Sequence, residues 1–275
     1  MSSRTTETNP HGVAKVAAGV QLSTQELPTI SIVVPSYNQG PFLEETICSI
    51  LDQHYPKLEL IVRDGGSKDN SVAILRKYES SIAHLAIGPD GGQSDALCKG
   101  FAQASGEILA WLNSDDAYCS DSLWRVGRFF AAHPRHMFCF GDVQEIDPNS
   151  RPVGLLKAVP SVPFLTRHSG AHGWWQPGCF WRRTTYEACG GIDASLFFCM
   201  DRDLFIRICS AGRSACLKGA PLARFRVHGE QKSQVNIAEF LKEDALMFKR
   251  YSRPSMNPWR GMVARCFGIW RRLVS

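Results

Sequence analysis

Four short, mostly apolar runs constrain the fold of this 275-residue chain more than any other feature. They cover residues 30–34, 58–62, 82–87 and 108–112, and each is followed by polar residues and then, in the first three cases, by a segment with helical spacing. Their branched side chains are typical of strands in a parallel sheet that is buried on both faces. Because strands and helices alternate at this length, the sequence predicts a right-handed, mostly parallel α/β sheet.

Polar side chains follow all four predicted strands. They are Ser36, Tyr37 and Asn38 after the first, Asp64 after the second, Asp90–Gln93 after the third, and Asn113, Asp115 and Asp116 after the fourth. In open α/β sheets, ligands bind outside the carboxyl ends of the strands. The sequence therefore predicts a ligand site at this edge of the sheet.

Two adjacent carboxylates, Asp115 and Asp116, close the fourth run. Neighbouring carboxylates are costly to bury unpaired, so they should reach a cleft. Carboxylate oxygens at such a place suit Mg2+ or Mn2+, which bind through one or two carboxylates and the phosphates of a substrate. The alternative is structural: the pair could cap a helix that begins near Ser120.

These motifs, in this order, resemble those of family 2-type glycosyltransferases with the GT-A fold. The matching segments are residues 32–38, 63–67, 90–96, 106–116, 176–178 and 200–204, within a stretch from Thr29 to Ser233. The resemblance implies an α/β GT-A architecture, which is a Rossmann-like, mostly parallel nucleotide-binding sheet with helices on both faces. It also implies one GT-A domain over residues 28–235, with a nucleotide-sugar half at 28–118 and an acceptor half at 119–235.

The resemblance further implies a site for a nucleoside-diphosphate sugar. Asp64 could accept a hydrogen bond from the base, Gly92 would let the backbone approach the ligand, and Lys232 could meet the diphosphate as a point charge. The residues implied in donor binding are Pro35, Tyr37, Asn38, Asp64, Gly92, Gln93, Ser94, Asn113, Ser114 and Lys232. Cys98 departs from the family pattern, which usually has Asn there, and a contact at the start of that helix is therefore in doubt.

The segment Asn113–Asp115 stands where the family has its Asp-x-Asp metal motif. The resemblance implies Asp115 as the direct ligand of Mn2+ or Mg2+, with Asp116 helping or capping and His228 completing the set; a structural role for His228 remains open. The metal would stabilise the departing diphosphate as a Lewis acid. Asn113 is a departure, because an amide in place of a carboxylate removes one negative charge near the metal.

Asp201 stands where the family has its general base, just before an apolar helical stretch. An inverting transfer needs one carboxylate to take the proton of the acceptor hydroxyl. The alternative is that Asp201 caps this helix, a role that the sequence otherwise gives to Asp203. Trp174, Trp175 and Gln176 could form a platform for the acceptor or the donor sugar, while a core position for one of the two tryptophans is equally consistent with the pattern.

The two ends of the chain differ from its body. Residues 1–27 are polar and aperiodic, and we expect them to be disordered. Residues 236–275 are expected to be a helical basic tail, and from Ala245 onward it has seven basic residues and no acidic one. Apolar residues recur with helical spacing from Trp259 to Trp270, which predicts a basic amphipathic C-terminal helix that binds an anionic membrane through residues 259–273. Docking on the catalytic domain or on a partner is the alternative.

No signal peptide and no membrane span is expected, and the ten scattered cysteines indicate reduced thiols. The resemblance thus implies a metal-dependent, inverting glycosyltransferase of hexosyltransferase type that uses an NDP-sugar donor, with UDP expected. Its acceptor would be a glycan or a lipid-linked molecule of cell-surface polysaccharide or glycolipid synthesis, at the cytoplasmic face of the cell membrane. Nucleic acid is not an expected partner. The alternative is a non-catalytic module that binds sugar nucleotides.

Overall fold

The computed structural model describes residues 24–160, 172–229 and 236–251. Lys232 and the predicted membrane helix at 259–273 lie outside the described residues, as does most of the N-terminal tail. Residues 24–27, at the end of that predicted tail, lead into the first strand with Leu27 buried. Among the helices in the described ranges, none is long and apolar enough to cross a membrane.

The strands form two sheets. In chain order they are β1 (Ile30–Ser36), β2 (Leu58–Asp64), β3 (His84–Ile87), β4 (Ile108–Trp111), β5 (Ala117–Tyr118), β6 (His136–Gly141), β7 (Val143–Ile146), β8 (Pro152–Leu156), β9 (Cys179–Arg182), β10 (Arg213–Leu217) and β11 (Ala223–Arg226). The main sheet has the spatial order β10-β6-β9-β4-β1-β2-β3, and the small sheet has the order β5-β11-β7-β8. Within the main sheet, β9 runs antiparallel to both of its neighbours and the other pairings are parallel.

Helices cover both faces of the main sheet. They are α1 (Gly40–Leu51), α2 (Ser71–Lys77), α3 (Gln93–Phe101), α4 (Ser122–Ala132), α5 (Arg183–Ala188), α6 (Met200–Ala211) and α7 (Ile237–Tyr251). Apolar residues of α1, α2 and α4 pack on one face of the sheet. Those of α3 and α6, together with Met247 of α7, pack on the other. The predicted doubly covered, mostly parallel sheet is confirmed.

The two cores follow from the alternation of side chains along each strand. In β1, Ile32 and Val34 join the core that contains Leu43, whereas Val33 joins the core that contains Leu97. Successive residues of a strand point to opposite faces, so an apolar run without polar alternation contributes side chains to both cores. This is why residues 32–34, 60–62 and 108–111, in the centre of the sheet, are all apolar, whereas β3, at its edge, is only partly buried.

The first helix begins earlier than its apolar spacing predicts. That spacing puts Glu44 and Glu45 in the first turn, but α1 begins at Gly40, and the first turn contains no acidic residue. Glu44 instead pairs with Lys77 of α2, and Glu45 pairs with Arg224 and Arg226 of β11. The two carboxylates therefore link α1 to neighbouring elements and do not act on the helix dipole.

Candidate functional site

The parallel pairing of β1, β2 and β4 brings their polar ends to one edge of the sheet. Ser36 lies opposite Asp64 in the register of β1 and β2, and the Ser36 hydroxyl donates a 2.9 Å hydrogen bond to Asp64 Oδ2. Asn113 follows β4, whose residue Trp111 pairs with Val33. The structure therefore places the predicted clusters after these strands side by side.

Asp64 is 2% exposed, and its carboxylate already accepts four hydrogen bonds. The Gly66 and Ser67 N–H groups donate to Oδ1 at 3.1 and 2.8 Å, and the Ser36 and Ser67 hydroxyls donate to Oδ2 at 2.9 and 2.7 Å. These bonds order the loop after β2. A hydrogen bond from a nucleotide base to Asp64, as the sequence predicts, requires that one of these donors be released.

Tyr37 and Asn38 form the loop after β1, next to the Asp64 loop. The Tyr37 side chain is 60% exposed, so its ring face is open to a planar ligand. Asn38 adopts a positive φ of 53° and is tied to the neighbouring loop, since its N–H donates to Ser67 Oγ and its Oδ1 accepts from the Lys68 N–H, both at 2.8 Å. Pro35 is buried in β1, directly before this loop.

Gly92 and Ser94 lie at the start of α3. Gly92 has a φ of 95°, a conformation that L side chains rarely adopt, and its N–H donates to Asp90 Oδ1 at 2.8 Å. The Ser94 hydroxyl donates to the carbonyl of Leu196 and is buried. Ser94 thus joins α3 to the loop that precedes α6, whereas the sequence predicts a contact with the donor.

A chain of amide hydrogen bonds joins the start of α3, the turn after β4 and the segment before β9. Gln93 Nε2 donates to Asn113 Oδ1 at 2.8 Å, Asn113 Nδ2 donates to Gln176 Oε1 at 3.1 Å, and Gln176 Nε2 donates to the Trp111 carbonyl at 2.9 Å. Asn113 Nδ2 also lies 3.4 Å from Asp116 Oδ2. Asn113 therefore both accepts and donates, which an ionised aspartate in its place could not do.

Asp115 and Asp116 have different surroundings, although they are adjacent. Asp115 Oδ2 lies 3.0 Å from His228 Nε2, so the predicted pair is brought together. Asp116 is buried and accepts a 3.0 Å hydrogen bond from the Arg226 N–H. Burial, followed by the charge of Asp115, raises the pKa of Asp116 well above its ordinary value. Ser114, which precedes Asp115 in the same turn, is also buried.

Neither carboxylate caps a helix. The next helix, α4, begins at Ser122 after Asp121, and the Asp116 N–H instead closes a turn on the Asn113 carbonyl at 3.0 Å. The structural alternative for Asp115 and Asp116 is therefore wrong. The turn places the Asp115 side chain beside His228 and the Asp116 side chain in the interior, beside Arg226 of β11.

Arg226, which was not predicted from the sequence, stabilises this turn through its buried guanidinium. Its guanidinium is buried, donates to the Asp115 carbonyl at 2.8 Å, pairs with Glu45, and lies 4.7 Å from the centre of the Phe42 ring. It also donates to the carbonyls of Asp147 and Pro148 and to Ser150 Oγ. In the sequence, only its position two residues before His228 points to Arg226, and a single sequence does not show that an arginine is buried.

A divalent cation fits the Asp115–His228 pair as a site with few protein ligands. Among the described residues, no group of three or more His, Cys, Asp or Glu side chains is arranged to hold a metal. Mg2+ and Mn2+ readily keep waters and phosphate oxygens, so one carboxylate and one imidazole beside a diphosphate would suffice. Asp116, which is buried and hydrogen-bonded to the backbone, suits the supporting role better than that of a direct ligand.

Asp201 lies in the first turn of α6, after the N-cap residue Cys199. Its Oδ1 accepts a 2.7 Å hydrogen bond from the Arg202 N–H, and burial raises the pKa of its carboxyl. Asp203 is 1% exposed and lies inside α6, where it pairs with Arg207 and Arg250. The capping role that the sequence gives to Asp203 is therefore wrong; it is an internal ion-pair residue.

The two tryptophans of the predicted sugar platform differ. Trp174 is buried and packs edge-on against Phe138 and Phe205, so the core alternative applies to it. Trp175 is half-buried, and its Nε1 lies 3.4 Å from the Lys157 carbonyl. Gln176 belongs to the amide chain. Of the three residues, Trp175 and Gln176 remain candidates for contacts with a sugar.

Comparisons with known proteins identify the class to which this fold belongs. The chain belongs to glycosyl transferase family 2, because residues 31–180 match the model of that family. The predicted resemblance and the predicted GT-A fold are thus confirmed. We refer to the polar residues that follow β1 to β4 (36–38, 64, 90–93 and 113–116) as the proposed donor edge. The match covers them and continues to residue 180, before α6.

Two relatives illustrate the sequence similarity. An uncharacterized glycosyltransferase of Mycobacterium tuberculosis (strain CDC 1551 / Oshkosh) is 30% identical over 185 residues, which is 66% of this chain and 68% of the relative. TuaG of Bacillus subtilis (strain 168), whose name assigns it to teichuronic acid biosynthesis, is 35% identical over 99 residues, which is 35% of this chain and 39% of the relative.

Solved structures share the fold at low sequence identity. A mannosyltransferase of Pyrobaculum calidifontis in complex with GDP-Man and Mn2+ superposes with a TM-score of 0.63 at 18% identity, covering 93% of this chain and 71% of the other. The S. aureus TarS fragment 1–349 in complex with UDP-GlcNAc superposes with a TM-score of 0.60 at 17% identity, covering 87% and 71%. At this identity the likeness shows the fold alone.

Proposed function

We propose that this family 2 glycosyltransferase is a hexosyltransferase that moves a sugar from a nucleoside-diphosphate sugar to a glycan or lipid-linked acceptor, with inversion and with Mn2+ or Mg2+. The observation that carries the proposal is the Asp115–His228 pair, at 3.0 Å, which joins the turn after β4, at the predicted ligand edge of the sheet, to the segment after β11. The amide chain through Asn113 lies in the same turn. A cation site beside uncharged hydrogen-bonding groups is what a diphosphate and a ribose would need.

The metal, when bound by Asp115 and His228, supplies Lewis-acid stabilisation of the departing diphosphate. The other roles belong to the chain. Tyr37 offers a ring face to the base, and the positive φ of Gly92 lets the backbone come close to the ligand. Gln93 and Asn113 offer uncharged groups to the ribose or the sugar. Lys232 remains a proposed contact to the diphosphate from outside the described residues.

Asp201 is proposed as the general base that takes the proton of the acceptor hydroxyl. The raised pKa of its carboxyl makes the ionised form a better proton acceptor than an exposed aspartate. Because the base must be ionised, turnover is expected to fall as the pH drops through this raised pKa. Trp175 and Gln176 are proposed to contact the sugar being transferred or its acceptor.

UDP is the proposed nucleotide, but GDP is the competing candidate. Relatives in fold have been solved with UDP-GlcNAc and with GDP-Man, and one of these complexes contains Mn2+. The name of TuaG supports a role in cell-surface polysaccharide synthesis. A lipid-linked acceptor is consistent with the basic tail, and we propose that the enzyme works in the cytoplasm at the inner face of the membrane, which it would bind peripherally through residues 259–273.

A thermal-shift panel tests the donor and the metal together. Ligands that bind the native state raise the melting temperature by mass action, so the true donor should raise it most, and more with Mn2+ than with EDTA. The panel contains UDP, GDP, UDP-glucose, UDP-GlcNAc and GDP-Man. No shift with any of these compounds would contradict the nucleotide-sugar proposal.

One observation favours the alternative of a non-catalytic module. Asn113 replaces an acidic residue and Asp116 points inward, so the metal site has only one carboxylate available from this turn. The two functions separate in a second measurement, which is the release of UDP or GDP from the donor that shifts the melting temperature. A catalytic protein releases the nucleotide with Mn2+ and fails to do so after Asp201→Asn, whereas a binding module shows the thermal shift alone.

A further inference from the structure

The loop before α6 donates three consecutive backbone hydrogen bonds to a single carboxylate. The N–H groups of Phe197, Phe198 and Cys199 lie 2.9, 2.9 and 2.6 Å from the carboxylate oxygens of Glu243, which belongs to α7. These N–H groups directly precede the first turn of α6, where Asp201 lies. A negative charge at this end of a helix also interacts favourably with its dipole.

Two carboxylates, one local and one remote, bind the N-terminal end of α6. Within the described residues, the N-cap residue Cys199 makes no side-chain cap hydrogen bond. In the first turn, the Arg202 N–H donates to Asp201 Oδ1, and Glu243, which lies more than forty residues further along the chain, accepts from the N–H of Cys199 itself. Helix ends need such partners for their free N–H groups.

Further ion pairs fix the same two helices to each other. Arg202 of α6 pairs with Asp244, the residue after Glu243. At the far end of α7, Arg250 lies 2.9 Å from both Asp193 and Asp203. Contacts from the middle of α7 and from its C-terminal end therefore fix it against α6 and the loop before α6.

The loop that Glu243 binds also contacts α3, next to the donor edge of the sheet. Ser94 of α3 donates to the Leu196 carbonyl, and the Cys98 thiol lies 3.5 Å from the Ile192 carbonyl. A side chain placed at Gly92 would contact the Phe197 ring at 3.6 Å. One loop, residues 192–199, thus joins the proposed donor site to the helix of the proposed base.

From these contacts we infer that Glu243 is a positioning residue for Asp201, and that α7 is therefore part of the catalytic unit. The inference rests on the proposed role of Asp201 as the general base. Glu243 fixes the backbone from which the base projects, and Asp244 and Arg250 fix Glu243. A shift of the base by about 1 Å is enough to reduce turnover strongly.

Because Glu243 is charged, it should also change the pKa of Asp201, which a purely structural contact would not do. The charged or titratable groups that interact with Asp201 are Arg202, Glu243, Cys199 and Cys179. Burial is the main cause of the raised pKa of Asp201, Arg202 opposes it, and Glu243 adds to it. Replacing Glu243 with a neutral residue should therefore lower the pKa of Asp201.

The test compares Glu243→Gln with Glu239→Gln, a matched change on the same helix. Glu239 is half exposed and pairs with Lys242 one turn away. We expect Glu243→Gln to lower kcat roughly 10- to 100-fold with little change in donor affinity. We also expect the acidic limb of the pH profile to move to lower pH, because the base then ionises at lower pH. Glu239→Gln should behave like the parent.

Two readouts do not depend on turnover. A ¹³C NMR titration of the Asp201 carboxyl should show a lower pKa in Glu243→Gln than in the parent, and amide exchange at residues 197–199 should be faster in Glu243→Ala. Unchanged titration and unchanged exchange in the Glu243 variants would overturn the inference. The proposed function fails separately, if the parent releases no UDP or GDP from UDP-glucose, UDP-GlcNAc or GDP-Man, or if Asp201→Asn matches the parent.

Discussion

The donor edge of the sheet and the region around Asp201 are ordered in different ways. At the donor edge, some polar side chains bind one another, as in the bonds of Ser36 to Asp64 and of Gln93 to Asn113. The turn that carries Asp115 and Asp116 is instead bound by Arg226 and His228, 110 residues or more further along the chain. Around Asp201, the helix is bound by α7, a segment beyond the family 2 match. The comparison teaches that the loops after β1 and β2 order one another, whereas the Asp115 turn and the proposed base both depend on segments that are remote in sequence.

The largest expected effect concerns the base. Asp201→Asn keeps the shape of the side chain and removes the proton acceptor, so kcat should fall roughly 10²- to 10⁴-fold while donor affinity stays nearly unchanged. The measurement is release of UDP or GDP at saturating donor, together with the Kd of the nucleotide. Turnover close to that of the parent would return Asp201 to a structural role.

The same variant makes a prediction about stability. The pKa of Asp201 is raised in the folded protein, so the native state is favoured below the ordinary pKa, and this advantage is lost as the pH rises through the raised value. Asp201→Asn carries no charge that must be buried. It should therefore melt at least as high as the parent at pH 8, and a clearly lower melting temperature would contradict the burial of an ionised Asp201.

The next largest effect is expected at the donor edge, in its buried arginine. Arg226→Met removes the guanidinium donor of the Asp115 carbonyl and one of the two arginine partners of Glu45, and breaking a buried pair in this way costs about 3–5 kcal/mol of unfolding free energy. Arg224→Met is the control, since it removes a partner of the same Glu45 from the same strand at a more exposed position. We expect it to cost about 1 kcal/mol or less in urea unfolding.

If the two arginine variants lose equal stability, Arg226 is not the centre of the turn that carries Asp115. In that event the Asp115 turn would depend less on β11 than the Asp201 region depends on α7, and the two regions would differ more. A loss confined to Arg226→Met would show that the Asp115 turn, like the Asp201 region, depends on one residue from a remote segment.

A smaller effect is expected at Asn113. Asn113→Asp adds a negative charge near the proposed metal, but it also removes the N–H donor that faces Gln176 Oε1 and Asp116 Oδ2. We expect the variant to be less stable than the parent in EDTA, by about 1–3 kcal/mol of unfolding free energy, and to recover part of this loss with Mn2+. Asn149→Asp, at an exposed position, is the control. A variant that melts like the parent in EDTA would mean that the amide chain contributes little.

The smallest effect on the enzyme itself is expected from the tail. Deleting the residues after Pro258 removes none of the contacts of Glu243, Asp244 or Arg250, so donor binding and turnover in solution should be unchanged. Binding to vesicles that contain anionic lipid should be lost, and the intact protein should bind them less well at high salt. Continued sedimentation of the truncated protein with vesicles would contradict the membrane proposal.

The sequence by itself determined the sheet and most of its ligand edge. Apolar runs without alternation feed two cores, and the carboxyl ends of parallel strands lie together whatever the details of packing. The positions of Asp64, Asn113 and Asp115 at one edge follow from those two rules. The pairing of Asp115 with His228 was also predictable, but only through the order of motifs that the family shares.

Only the tertiary structure decided which polar groups remain free for a ligand. Asp64, Ser94 and Asp116 have the residue types that a donor site needs, yet protein donors or acceptors already occupy them. Trp174 lies in the core for a similar reason, since local sequence does not show which of two adjacent aromatic rings faces inward. Glu243 and Arg226 act on segments far from them along the chain. Contacts of this kind depend on how whole elements pack, and no local pattern of residues encodes them.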